Sequence, residues 1–429
     1  MGEKPNVLLL CTDQQQARAL GVADETFETP HLDRLAADGV RFTECYTTSP
    51  QCSPARSSLV TGQFPHQTGL YSLWGGYGGP LDPALPSVGR HFRNAGYRTV
   101  YIGKWHLGGG DPVSHLQSFG WEETANAHTV ANPPEGTPAD TTTRDEAVTF
   151  LSAYDGEEPF FLTASFNLPH PGFYEDPGFA HWYDREDVPM PKSFADDLSD
   201  KPAFHRERSR ELDLDEEAVR DMRYRYRTMT SRVDDHVGRI LDELSAQGLR
   251  EDTIVVFTSD HGDMQGAHRL SLKGVVAYEE LLRVPLLVDV PDRDTARNVI
   301  PDLVSWTAIP GTLLDAAGLP YDAFEGGSVL PALDRDAPPV DEQVFFEHKA
   351  AYWGHHPYRG VRTREWKYVE NMLDERDELY HVATDPHELH NLSGAPSYEN
   401  AEAALRSAVD EWWDRTDGDA ESWLGPLAE

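Results

Sequence analysis

Five short apolar runs, four of which close on polar residues, constrain this 429-residue chain more than any other feature. Val7–Cys11 runs into Thr12-Asp13-Gln14, and Thr99–Ile102 into Gly103-Lys104. Phe160–Phe166 leads to Pro169-His170, Thr253–Phe257 to Ser259-Asp260-His261, and Val284–Val290 is the fifth run. Apolar runs without alternation suit strands covered on both faces, as in parallel sheets. Helical patterns separate them. One runs from Leu32 to Asp38 after Thr29-Pro30, a cap followed by an N-terminal proline. Another is amphipathic from Ala218 to Gln247 and stops at Gly248. This alternation predicts an α/β fold with a doubly wound, mostly parallel central sheet flanked by helices. Ligands of such sheets sit beyond the carboxyl ends of the strands, where the polar residues collect here.

Two long segments carry no such pattern: Leu70–Pro86, rich in Gly and aromatics, and the polar stretch Asp111–Asp145. Irregular segments of this length commonly act as lids or binding loops. An acidic, Pro-containing linker near Asp334–Asp341 divides a large domain, 1–335, from a small α+β C-terminal subdomain, 336–429. In the latter, strands are expected at Gln343–Glu347, Gly360–Thr363 and Trp366–Glu370, and a last helix near Ser397–Trp413.

The charge balance narrows the partners. Asp and Glu number 73 against 37 Lys and Arg, a formal net charge of −36. Such a surface repels phosphate backbones and anionic membranes, so neither nucleic acid nor a lipid surface is expected. Only seven of the basic residues are lysines. Dense acid with scarce lysine suits a protein working in concentrated salt, where a Debye length of about 3 Å at 1 M screens self-repulsion. Three cysteines, Cys11, Cys45 and Cys52, make no disulfide framework. No basic leader precedes the first strand, and no apolar stretch approaches the ~18 residues of a membrane span, so the expected location is cytoplasmic.

Cys52-Ser-Pro-Ala-Arg56, continued by Ser57-Ser-Leu-Val-Thr-Gly62, is the most specific motif. Taken alone, a cysteine is a small buried hydrophobe, and its neighbours open a helix. A cysteine-phosphatase loop is longer than the three residues between Cys52 and Arg56. A zinc site fails for want of a second cysteine at ligand spacing. The stretch resembles the signature of the type I, formylglycine-dependent sulfatases of the alkaline-phosphatase-like superfamily, in which Cys-X-Pro-X-Arg directs oxidation of the cysteine to formylglycine. The resemblance extends over essentially the whole chain, each further match falling at a predicted strand end.

The resemblance implies a sulfuric ester hydrolase acting on an organic sulfate ester, such as a sulfated sugar or aryl sulfate. Its nucleophile would be the hydrate of an aldehyde made from Cys52 by a formylglycine-generating enzyme. A geminal diol suits this chemistry because its second hydroxyl can expel the sulfate that the first has captured. Asp13, Gln14, Asp260 and His261, with the modified Cys52, would hold one divalent cation: calcium by preference, with magnesium or manganese as alternatives. Many family members carry Asp-Asp and Asp-Asn where this chain has Asp13-Gln14 and Asp260-His261, which lowers the ligand charge and softens the site. Lys104 and His106 match the family Lys-X-His, and alternation on an extended segment would put both on one face. In the family pattern Lys104 and Lys273 bind sulfate oxygens, His106 takes a proton from the diol, His170 protonates the departing alkoxide, and Arg56 steadies the hydrate.

Two alternatives use the same residues: a phosphonate monoester or phosphodiester hydrolase, and a non-catalytic anion-binding relative with an unmodified Cys52. Beyond the chemistry, Tyr71–Tyr77 and Ala351–Tyr358 are rich in aromatics and histidine. Trp74, Trp353, His355 and His356 are therefore candidates for contact with the substrate's organic part, since aromatic faces suit sugar and aryl rings.

Overall fold

Strand β1 (Asn6–Thr12) sends its side chains alternately into two hydrophobic cores. Val7, Leu9 and Cys11 join a core on one face, and Leu8 and Leu10 a core on the other. This alternation, with no polar face, is what a sheet wound on both sides requires. The computed structural model describes residues 4–75, 78–128, 140–291, 293, 297–334, 339–351, 354–374, 376–419 and 423–425.

Seven further strands complete the central sheet: β2 (Val40–Tyr46), β3 (Arg98–Lys104), β4 (Glu123–His128), β5 (Phe160–Ser165), β6 (Thr253–Ser259), β7 (Arg283–Asp289) and β8 (Val299–Ser305). Their order is β4-β3-β5-β1-β6-β7-β2-β8. The pairs around β1 are parallel; β7 runs antiparallel to both neighbours, β6 and β2. One face is covered by helices that include Cys52–Thr61 and Ala308–Ala316. The other is covered by Pro30–Asp38, Thr141–Ser152 and the long helix Glu216–Ala246, whose Met229, Val233, Val237, Ile240 and Leu244 form its buried stripe. Asp234, on that helix, accepts the amides of His31 and Leu32 and so caps the helix starting at Pro30.

The C-terminal sheet is antiparallel, in the order β12-β11-β10-β9: β9 (Gln343–Ala351), β10 (Gly354–Thr363), β11 (Lys367–Asn371) and β12 (Glu378–Tyr380). Phe345, Val361, Tyr368 and Leu379 pack one face on the helix Glu399–Arg415 through Leu405, Val409, Trp412 and Trp413. Val344, Phe346, Tyr358 and Val369 pack the other on Tyr46, Ala277, Leu282 and Leu303 of the central unit. The expected boundary at 335/336 lies outside the described residues. The polar stretch expected to be irregular holds a helix, Pro112–Ser118, and β4, with 129–139 outside the described residues. Among the described residues, no helix is long and apolar enough to cross a membrane.

Candidate active site

Register brings the first carboxylates together. Thr12 of β1 pairs with Ser259 of β6, so Asp13 and Asp260 leave their strands side by side. Gln14 follows with φ of 71°, and its amide donates to Asp260 Oδ1 at 3.0 Å. On β5, Ser165 pairs with Cys11, and on β3 its partner is Gly103, which sets Lys104 at the same level.

Cys52 enters from a different direction. Gln51 is extended and Cys52 opens the helix Cys52–Thr61, with Pro54 in the first turn, where its missing N–H costs nothing. Arg56 stands one turn on, on the same helix face as Cys52. Its Nε donates to Asp260 Oδ2 at 2.8 Å, and its Nη1 to Lys104 O at 3.0 Å and Ser165 Oγ at 2.8 Å. The spacing of the motif is thus what lets one short helix offer a thiol and a guanidinium to the same strand ends.

The cations close around the thiol. Lys273 Nζ lies 2.7 Å from Cys52 Sγ and 3.6 Å from Asp13 Oδ1. Lys104 Nζ contacts Asp13 Oδ2 and lies 3.9 Å from Cys52 Sγ. His261 Nδ1 donates to Gly262 O at 2.8 Å, which turns Nε2 toward Cys52 Sγ at 3.4 Å. His170 follows β5 beyond the cis Leu168–Pro169 bond, with Nδ1 2.7 Å from Pro171 O. Asp140 holds that loop by accepting the amides of Asn167 and Leu168 at 2.8 and 2.7 Å. His106 comes into reach of Cys52 by another route than expected: β3 ends at Lys104, and a left-handed backbone at His106, φ of 56°, turns it back toward the thiol.

Charge shapes the titration of these groups. Burial and Asp13 push the Cys52 thiol up, but Lys104, Lys273 and His261 outweigh them and hold it well below the ordinary thiol range. Burial lowers the pKa of both His106 and His170 from the ordinary imidazole value. Burial raises Asp13 as well, yet Lys104 and Lys273 bring its carboxyl well below the usual range.

The donor set fits a divalent cation. Ligand atoms of Asp13, Cys52, Asp260 and His261 all lie within 4.8 Å of one another. Gln14 adds an amide oxygen, Oε1, that is buried and has no hydrogen-bond partner among the described residues. A buried, unsatisfied acceptor is costly, by about 1–3 kcal/mol, unless something meets it. Two carboxylates, an amide oxygen and one imidazole nitrogen are what a hard or borderline cation takes.

The segments expected to meet the substrate's organic part are placed as follows. Trp74 is half-buried, and its amide donates to Ser53 Oγ at 3.0 Å, beside Cys52. Ser72 Oγ donates to Ala350 O at 3.1 Å, joining this loop to the β9–β10 hairpin. His355 and His356 lie on β10, and His356 stacks on Phe204 with centroids 4.6 Å apart. Trp353 lies outside the described residues. Ser53 and Asp140 also reach the site, beyond the residues that the sequence motifs mark. Ser53 lies inside the motif, whereas Asp140 reaches the site only through long-range contact and carries no local signal.

The sulfatase family model matches residues 5–319, and the model described as N-sulphoglucosamine sulphohydrolase, C-terminal, matches 266–414. An ulvan-active sulfatase of Formosa agariphila is 30% identical over 94% of this chain and 80% of its own. A solved 2-O GAG sulfatase superposes with a TM-score of 0.83 at 26% identity, over 99% of this chain and 95% of its own. A phosphonate monoester hydrolase of Silicibacter pomeroyi superposes with a TM-score of 0.81 at 22% identity, over 98% and 97%, a likeness of fold.

Proposed function

The chain belongs to the sulfatase family and is a sulfuric ester hydrolase; on that premise we propose that it releases inorganic sulfate from a sulfated saccharide, with Cys52 oxidised to formylglycine by a maturation enzyme. The observation that carries the reading is the convergence of Lys104, Lys273 and His261 on the one side chain, Cys52, that the family motif marks for oxidation, with Arg56 tied to the neighbouring Asp260 carboxylate. The saccharide is supported by the ulvan-active and 2-O GAG sulfatases among the similar proteins.

Hydrated formylglycine supplies two hydroxyls on one carbon: one attacks sulfur as the S–O bond to the alcohol breaks, and the other expels sulfate and restores the aldehyde. The side chains around it divide the remaining work. Lys104 and Lys273 hold sulfate oxygens with buried ammonium groups, whose effect is magnified where water is excluded. His170, whose Nδ1 donates to Pro171 O, has Nε2 free to face the departing alcohol oxygen, and in its imidazolium form it gives that oxygen a proton. His106, its pKa lowered by burial, takes the proton of the second hydroxyl. Arg56, tied to Asp260, fixes the orientation of residue 52. Asp13, Gln14, Asp260 and His261 would hold one divalent cation, calcium first and magnesium or manganese next. Bound there, it supplies positive charge to polarise the sulfate and the nucleophile. Trp74, Trp353, His355 and His356 would meet the sugar, and the acidic surface would favour a salt-rich setting.

The test is a turnover screen of one oxidised preparation against sulfated mono- and disaccharides, an aryl sulfate and a phosphonate monoester. Sulfate release from a saccharide with kcat/KM at least about tenfold above the other classes is expected. Faster cleavage of the phosphonate ester would overturn the assignment.

A further inference from the structure

The first of the two ligand pairs holds an amide, Gln14, where a carboxylate would need no orientation. A carboxylate offers an acceptor whichever way it turns. An amide offers oxygen on one side and N–H on the other, and a donor facing a cation would repel it. Something must therefore decide which way the Gln14 amide points.

We infer that Asp263 is a positioning residue: it takes the Gln14 side-chain N–H, so that the amide oxygen faces the cation site. The inference rests on the reading of this cluster as a divalent cation site. Four contacts carry it. Gln14 Nε2 donates to Asp263 Oδ2, and Gln14 Oε1 is left buried and, among the described residues, unpartnered on the other side. Asp263 Oδ1 accepts the Gln265 amide at 2.8 Å and Gln265 Nε2 at 2.9 Å. The first of these donors is backbone and cannot be exchanged for an acceptor, so the carboxylate's orientation is settled from behind. Gln16 Nε2 donates to Asp263 O, anchoring the main chain at the same point. The Gln14 backbone is fixed as well: its N–H donates to Asp260 Oδ1 at 3.0 Å, and its carbonyl accepts Tyr226 O–H at 2.9 Å. Gln14 and Asp263 are both fully buried, so water does not stand in for either partner. With its backbone held and its amide nitrogen engaged, Gln14 has one way to present itself.

The arrangement makes a prediction that ligand charge alone would reverse. In Asp263→Asn, the oxygen of residue 263 stays with the Gln265 amide and its NH2 turns to Gln14. The Gln14 amide then flips, and N–H faces the cation. In Gln14→Glu, a stronger ligand by charge, two carboxylates confront each other with no donor between them. The double variant Gln14→Glu with Asp263→Asn restores a donor–acceptor pair with the roles exchanged.

The test is calorimetric titration of metal-stripped protein with calcium, magnesium or manganese, with circular dichroism and melting curves reporting the fold. Expected are a loss of affinity of roughly 10- to 100-fold in each single variant and recovery in the double variant to within about threefold of the parent. Should Asp263→Asn not fold, Gln14→Glu carries the test by itself: weaker binding supports the inference, tighter binding overturns it. Parent-like affinity in Asp263→Asn, or a double variant no better than the singles, also overturns it. A parent protein that binds none of the three cations overturns the cation reading itself, and the inference with it.

Discussion

Two buried clusters of charge lie in this molecule, and they are built differently. At the seam between the central unit and the C-terminal sheet, three carboxylates interleave with three cations. Lys367 contacts Glu388 and lies 3.8 Å from Glu279; Arg362 lies 3.4 Å from Glu279 and 3.5 Å from Glu44; Arg283 lies 2.9 Å from Glu44. The Glu279 amide donates to Glu388 at 2.8 Å, and Lys367 donates to Ala277 O. Around Cys52, by contrast, two carboxylates, Asp13 and Asp260, touch three cations, Arg56, Lys104 and Lys273. Among the described residues, buried polar atoms without a hydrogen-bond partner occur in both clusters, Gln14 Oε1 and His106 Nδ1 at the site and Arg362 Nη1 at the seam. At the seam each carboxylate is matched by a cation. At the site the three cations converge, from separate elements, on Asp13, Asp260 and the Cys52 side chain. Buried charge alone does not mark function; what sets the site apart is the reactive side chain, Cys52, on which its cations close.

The comparison breaks if the two clusters respond alike to loss of a lysine. Lys273→Met at the site should lower kcat/KM by roughly 10²- to 10³-fold with a smaller loss of stability than at the seam, because Lys104 still pairs with Asp13. Lys367→Met at the seam should cost about 3–5 kcal/mol by stranding buried carboxylates. Its kcat/KM below the melting transition should stay within about threefold of the parent. Denaturant unfolding and steady-state kinetics on both variants settle the matter. An inactive but stable Lys367→Met, or an unfolded Lys273→Met, would erase the distinction.

A second seam contact sharpens it through pH. His66, just beyond the nucleophile helix, pairs with Glu347 of β9 at 2.6 Å. Burial lowers its pKa, but Glu347 more than offsets this, and the net shift is upward. A raised folded-state pKa gives stability that is full below the unfolded value of about 6.5 and lost as pH rises through the folded one. Melting temperature should therefore fall as pH rises above about 6.5, and His66→Gln should flatten that slope. An unchanged slope in the variant would remove His66 from the account. The smallest effect concerns the surface: with 73 acidic against 37 basic residues, raising potassium chloride from about 0.1 to about 2 M should lift the melting temperature by roughly 5 °C. A flat response would count against the salt-adapted reading.

The same contrast explains what the sequence reveals and what it hides. β1, β5, β6 and β7 are visible because each carries an unbroken run of apolar residues, as strands buried on both faces do. β2 and β8 escape notice. β2 mixes Arg41, Thr43 and Glu44 with its apolar residues, and Glu44 serves the seam; β8 carries Pro301 and Asp302 and lies at the sheet edge. The Cys52–Arg56 pair is legible because one helix turn joins its members. The Asp263–Gln14 contact spans 249 positions and exists only through folding. His106 reaches the neighbourhood of Cys52 through a left-handed turn rather than through strand alternation, a backbone detail the sequence does not display.

The central claim, that activity issues from an oxidised Cys52, is tested most directly by the mass of the proteolytic peptide that contains residue 52. Several preparations, made with and without co-expressed maturation enzyme, would each be measured alongside their sulfate-releasing activity. The account predicts a species about 18 Da lighter than the cysteine peptide, as thiol-to-aldehyde conversion requires, and activity proportional to its fraction with no intercept. Full activity in a preparation whose peptide retains the cysteine mass would contradict it.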